Sequence, residues 1–473
     1  MQVRSSAYLA SMKPLCRKLL ALLLERYRYA SVLAADVDAR DYSVSRSGIS
    51  VSENNRFGKR GFVVRVYTGE GYAEYSGNEL SEEKFPEILA ELEHSIREAD
   101  GHFARYQTAV SADEPLQFVK STEYAVDPHE LGDEAILGKL SAVRKTAFEK
   151  KADLIDCAVR MSYQCYHKLF LSPKRDLEQN VLWSAASLAV LARRGEEVKD
   201  AYESISLLGG AELLDDLPGR LDHAIATLED VLKSEPLVPG TYECVCTPEV
   251  TGMIVHEAFG HGVEMDMFVK DRALAQSHVG KPVASSLITM RDGAATGYED
   301  VATYFFDDEG NTAQDTLIID KGILVGGICD EVSAVRLGKK PTGNGRREAI
   351  DHKAYTRMTN TYFLEGDDRV EDMIASVKDG LLLEQPTSGM EDPKNWGIQC
   401  MVSFAREIKD GKLTGRIFSP IVLSGYVPDL LKSITMISGT VEHAGGGFCG
   451  KGHKEWVKVS DGGPYIKATI RLG

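Results

Sequence analysis

Apolar and polar positions follow two different rhythms along this chain. In the first half, residues 12–30, 81–100, 133–155 and 216–234 read as helices, with apolar side chains three or four apart. Ser81, followed by Glu82 and Glu83, marks a helix start. "RGFVVRVYTGEGYAEYSG" (60–77) reads as two strands around Gly69–Gly71. After "SEPLVPGTY" (234–242), a stretch bearing Pro and Gly, strands come in hairpin pairs. "DTLIIDKGILVGGICD" (315–330) is strand, Asp-Lys-Gly turn, strand. "WGIQCMVSFAREIKDGKLTGRIFSPIVLSG" (396–425) repeats the device at Asp410-Gly411-Lys412, and "PYIKATIRL" (464–472) closes the chain. The expectation is an α+β protein: a mixed α/β domain over residues 1–236, then a strand-rich, mostly antiparallel, barrel-like domain over 237–473. One helix interrupts the later strands. Thr247 can cap it, Pro248 suits its first position and Glu249 its first turn, so it should run from 248 to Gly260 or Gly262.

That helix carries "MIVHEAFGHGVE" (253–264). Zinc peptidases usually place two histidines four residues apart, with a glutamate after the first. His256 and His261 are five apart, which on a regular α-helix turns them about 140° away from each other. A π-bulge or an early helix end absorbs the extra residue, and Gly260 and Gly262 tolerate the unusual backbone either route needs. Met253, Ile254, Val255, Ala258 and Phe259 surround the polar trio, so His256, Glu257 and His261 need buried partners. The bland alternative is an ordinary helix with two histidines. A third soft ligand is available in "HAGGGFCGKGH" (443–453), where Cys449 stands among five glycines. Glu264, His443 and His453 are alternative ligands. "GNGRRE" (343–348) offers Arg346 and Arg347, which either hold a substrate carboxylate by paired hydrogen bonds or pair with neighbouring acids. "DDEG" (307–310) lacks the remaining ligands of a calcium loop and reads as an acidic turn.

Composition narrows the partners. A chain of 473 residues is too long for one core. The balance of 55 basic against 71 acidic residues, a formal charge of −16, argues against a nucleic-acid backbone and an anionic membrane surface. No apolar run reaches the roughly 18 residues of a membrane span. The apolar core Leu19–Leu24 is cut by Glu25, Arg26 and Arg28, which suits an amphipathic first helix better than a secretory signal. Eight cysteines in this length make no disulfide scaffold. These features suggest a cytoplasmic protein with reduced thiols and no direct nucleic-acid or membrane partner.

"HEAFGHGVEMD", "FFDDEGNT", "PTGNGRRE", "RMTNTYFLEG" and "GGGFCGKG" occur in this order across residues 256–452. Together they resemble the TldD/PmbA family of metallopeptidases, and the strands at 60–77 are similar to that family's N-terminal ones. TldD-like subunits carry His-Glu-x-x-x-His and a late Cys; PmbA-like subunits lack the metal ligands. This chain resembles the TldD kind. The resemblance implies Zn2+ held by His256, His261 and Cys449, an open fourth position, and Glu257 as general base. It implies a peptide substrate, short or unfolded, and a dimer enclosing the active site, with the N-terminal domain forming dimer and chamber. The partner is a second copy or a metal-free PmbA-like subunit. Two rivals stand beside it: a thiol hydrolase using Cys449 with His443 or His453, and a non-catalytic partner or regulator, as the family's old label of DNA gyrase modulator suggests. Residues 385–408 depart from the TldD pattern, with Pro393 and Trp396 where a more Gly-rich strand is expected. This departure is expected to leave the metal site untouched, and no peptide preference is carried over.

Overall fold

The computed structural model describes residues 1–53, 59–98, 109–110, 114–297, 300–445, 447–452 and 454–473. His453 lies outside the described residues.

The first helix starts earlier than expected, at Ala7, and ends at Leu24. The Ser6 hydroxyl accepts from the Leu9 amide at 3.1 Å, which fixes the start. Leu9, Met12, Cys16, Leu19, Leu20 and Leu23, three or four apart, form its buried stripe.

The first half holds far more strand than its pattern suggests. Ala30–Ser45, Asp156–Leu171, Arg175–Arg194 and Glu197–Leu207 are long strands of one eight-stranded sheet. Parts of these strands are buried on both faces, as at Ala30–Ala35, so strict alternation is lost and the stretches resemble no single template. Most pairings are antiparallel; Leu116–Ser121 runs parallel to Arg175–Arg194. Helices Asp133–Lys150 and Leu217–Val231 cover one face, packing on Tyr42, Val44, Val159, Met161 and Leu188.

In the second half a barrel forms. Gly240–Cys246, Ile466–Leu472, Ile421–Tyr426, Gly397–Lys409 and Asp379–Asp392 pair in that order, and the last pairs back to the first. Closure leaves these five strands without a free edge between them. The hairpin turns follow the expected chemistry. Asp410 and Gly411 have φ 46° and 73°, and Lys321 and Gly322 have 45° and 83°, the left-handed pairs of tight hairpins. A second sheet includes Met290–Gly293, Asp315–Asp320, Asn360–Phe363 and Ser460–Gly463. The helix from Pro248 is wedged between barrel and second sheet. The fit is close: a Cβ on Gly252 would lie 2.8 Å from the Gly462 nitrogen.

Buried charge docks the two halves. Arg65 of the first sheet donates to Glu309 at 2.5 Å and to Glu331 at 2.9 Å, and Lys168 pairs with Asp308. The turn read as acidic at 307–310 is therefore enclosed, not solvated. Among the described residues no helix is long and apolar enough to cross a membrane.

Candidate metal centre

An α-helix runs Pro248–Val255, continues as a π-helix over His256–Gly260, and ends as a 3-10 turn over His261–Val263. The wide turn is what the five-residue spacing requires, since i to i+5 bonding brings such residues to one side. The imidazole centroids are 5.3 Å apart with perpendicular planes. The glycines serve a different purpose from the one expected. Gly260 has ordinary helical angles, φ −59° and ψ −55°. Glycine is needed there because a Cβ would lie 2.1 Å from Met358 Sδ; at Gly262 it would lie 2.9 Å from Glu391 Oε1.

Cys449 arrives on the short strand Phe448–Lys451, paired with Lys454–Lys458. Its Sγ is 3.2 Å from His256 Nε2 and 3.3 Å from His261 Nε2. The three donor atoms lie within 4.8 Å of one another. Burial alone would raise the Cys449 thiol, but His261 and then His256 outweigh it and hold the thiol well below its ordinary range. Burial would lower His256, and the thiolate outweighs that, lifting it to about 9. A cation among these atoms takes the place of the shared protons, so its binding releases them.

Glu264 is 1% exposed and supports the ring of His261, with Oε2 3.5 Å from Nδ1. That contact leaves Nε2 facing the sulfur, the usual task of a carboxylate behind a metal-binding histidine. Burial would raise the Glu264 carboxyl; Lys451, His261 and Arg357 together hold it far below the carboxylate range. Arg357 has no assigned role in the sequence reading. Its side chain is wholly buried, Nε donates to Glu264 Oε1 at 3.1 Å, Nη2 donates to Cys449 Sγ at 3.0 Å, and Nη1 donates to the Glu455 carbonyl. Its one signal is an arginine inside "RMTNTYFLEG", where a strand turns apolar.

The remaining candidates are placed elsewhere. His443 Nδ1 is 3.4 Å from Asp300 Oδ2, and burial pushes the histidine down to about 4 and the aspartate up to about 7. Arg346 donates to the carbonyls of Met358 and Lys458 at 2.5 and 2.7 Å. Arg347 grips Glu74 at 2.6 and 3.0 Å. Both line a separate small cavity of about 90 Å³. Arg347 is paired with an acid, though not one of its sequence neighbours, and Arg346 is held by backbone carbonyls and by no acid among the described residues. Residues 385–408 pack against the helix that carries His256 and His261. A Cβ on Gly389 would lie 2.4 Å from Glu257 Cγ, and the buried Trp396, at φ 58°, packs on Phe259 with centroids 5.7 Å apart.

His256 and Glu257 line a cavity of about 1140 Å³. Its walls come from Pro386–Gly389, from Gly447 and Phe448, and from the first-half sheet. Cys449, 5% exposed, and His261 are not among the lining residues.

Residues 239–470 match the profile of the PmbA/TldA metallopeptidase C-terminal domain. A metalloprotease of Methanothermobacter thermautotrophicus is 30% identical over 60% of this chain, which spans 62% of that relative's length. A zinc metalloprotease TldD homolog of Saccharolobus solfataricus is 28% identical over 66% of this chain and 69% of its own. The crystal structure of TldE from Thermococcus kodakarensis shares the fold, with a TM-score of 0.73 and 18% identity over 97% of this chain and 100% of that one. Residues 239–470 thus carry the C-terminal domain of the PmbA/TldD metallopeptidases, and the whole chain shares the fold of TldE.

Proposed function

We propose that the chain is a zinc-dependent peptidase hydrolysing short or unfolded peptides in the cytoplasm. The observation that carries this reading is the convergence of His256 Nε2, His261 Nε2 and Cys449 Sγ within 4.8 Å of one another. Two imidazoles and a thiolate are ligands zinc takes, and three protein ligands leave one position open. Bound there, zinc supplies a water of near-neutral pKa and polarises the peptide carbonyl. Glu257, which follows His256 and lines the cavity, takes the proton of the attacking water and returns it to the leaving amine. Glu264 and Arg357 hold His261 and Cys449 in place. The cavity volume of about 1140 Å³ is above the roughly 300–1,000 Å³ of small-ligand pockets and suits a stretch of peptide. The chain acts as a dimer, with itself or with a metal-free PmbA-like subunit; the likeness to TldE supports this pairing. Cys449 as nucleophile is the weaker reading, because the residue is not part of the cavity lining and its sulfur is held between two histidines, a ligand set rather than a nucleophile with one base.

The test is zinc content beside turnover. His256→Ala and His261→Ala should each abolish tight zinc binding. Glu257→Gln should keep zinc yet lose activity on a mixed peptide library by roughly 100- to 10,000-fold. Full zinc in either histidine variant, or wild-type turnover by Glu257→Gln, would sink the respective assignment.

A further inference from the structure

Strand register decides which first-half side chains face the cavity. Successive residues of a strand point to opposite faces. Val44, Val159, Met161 and Leu188 point into the helix-covered core. Their neighbours point the other way. Ser50 is opposite Ser43, Ser43 opposite Arg160, Arg160 opposite Ser187, and Ser187 opposite Ser204. A row across five strands thus carries one arginine between short hydroxyl side chains, and all five residues line the cavity that holds His256 and Glu257.

Arg160 is exposed and is the one lysine or arginine lining this cavity among the described residues. Among the described residues its side chain has no hydrogen-bond or ion-pair partner. Serines on either side are too short to cover it. Apart from His256 at the candidate metal centre, the charged side chains that share the lining are acidic: Asp41, Glu257 and Asp461. Away from that centre a substrate carboxylate therefore meets one attractive side chain, Arg160, whose planar fork donates two parallel hydrogen bonds to a carboxylate. Arg346 and Arg347 offer no such fork, being spent on the protein itself.

We propose that Arg160 anchors a carboxylate of the bound peptide and so gives the site a preference for peptides that carry one. This rests on the peptidase reading for the identity of the ligand. The bland alternative is a solvated arginine with no ligand.

The test separates binding from turnover by using full-length, zinc-loaded Glu257→Gln protein. The probes are acetylated alanine-leucine hexapeptides in two pairs: free against amidated C-terminus, and amidated with a central Glu against a central Gln. Calorimetry should show one or both carboxylate forms binding about ten- to hundred-fold tighter than their neutral twins. Whichever pair shows it identifies the source of the carboxylate. Adding Arg160→Gln should bring that ratio to near one, and Arg160→Lys should restore it in part. No preference in either pair, no binding of any peptide, or a preference that survives Arg160→Gln would overturn the proposal. Binding preference in the absence of any cleavage of these peptides or of a mixed peptide library by the zinc-loaded wild-type protein would uphold the anchor and defeat the peptidase reading instead.

Discussion

Arg357 has no solvent contact, and each of its three nitrogens is bound: to Glu264, to Cys449 and to the Glu455 carbonyl. Removing it takes a buried cation from between Glu264 and Cys449, leaving the carboxylate to Lys451 and His261 and the sulfur to the two histidines. Arg357→Ala should therefore cost about 3–5 kcal/mol, read by denaturant unfolding, and should weaken zinc binding by roughly 10- to 100-fold. Arg357→Lys keeps the charge but loses the fork, and should fall between. Wild-type unfolding by the alanine variant would contradict the reading of this guanidinium as the support of the site. Asp300 gives a pH-dependent case away from the metal. Burial lifts its carboxyl from the ordinary 3.8 to about 7. Between those values the folded chain holds a proton the unfolded chain has lost, so this group's contribution to stability falls as pH rises from about 4 to about 7. Asp300→Asn is spared that loss. Its stability relative to wild type should rise from pH 5 to pH 7, by at most about 1.4 kcal/mol per pH unit, and level off above. A difference that stays flat with pH would contradict it.

The π-turn over His256–Gly260 lets an odd spacing place two histidines at one sulfur. Met358 packs so closely on Gly260 that a Cβ there has no room. Gly260→Ala should cost about 1–3 kcal/mol by overpacking and lower zinc binding by moving His261. Met358→Ala in the same chain should relieve part of that clash, making the double variant less unstable than the sum of the two. Trp396→Ala, which empties the wall behind Phe259, should cost about 3–5 kcal/mol. The elements differ in how legible they were. The helix start at Pro248-Glu249 and the Asp410-Gly411 turn act through local backbone chemistry, and both were readable in the sequence; Thr247 stands at the cap position, but its hydroxyl makes no capping bond. The histidine spacing itself pointed to the bulge. The long strands Asp156–Leu171 and Arg175–Arg194 were not readable, because burial on both faces along part of the sheet erases the alternation that marks a strand. Arg65, Glu309 and Glu331 were invisible as partners, since no local pattern links charges 244 and 266 residues apart.

At the scale of the molecule, the large cavity beside His256 and Glu257 is lined from both halves, so its shape depends on how they dock. Arg65 is the buried centre of that docking. Arg65→Ala leaves two enclosed carboxylates facing each other and should cost about 3–5 kcal/mol. The central claim, that residues about 190 apart in sequence hold one zinc ion, is tested most directly by X-ray absorption at the zinc edge on protein purified without chelator. The expected result is one zinc per chain with one sulfur at about 2.3 Å and two imidazole nitrogens at about 2.0–2.1 Å, the sulfur shell vanishing in Cys449→Ser. A wild-type spectrum with nitrogen and oxygen alone, or a sulfur shell that survives in Cys449→Ser, would contradict it.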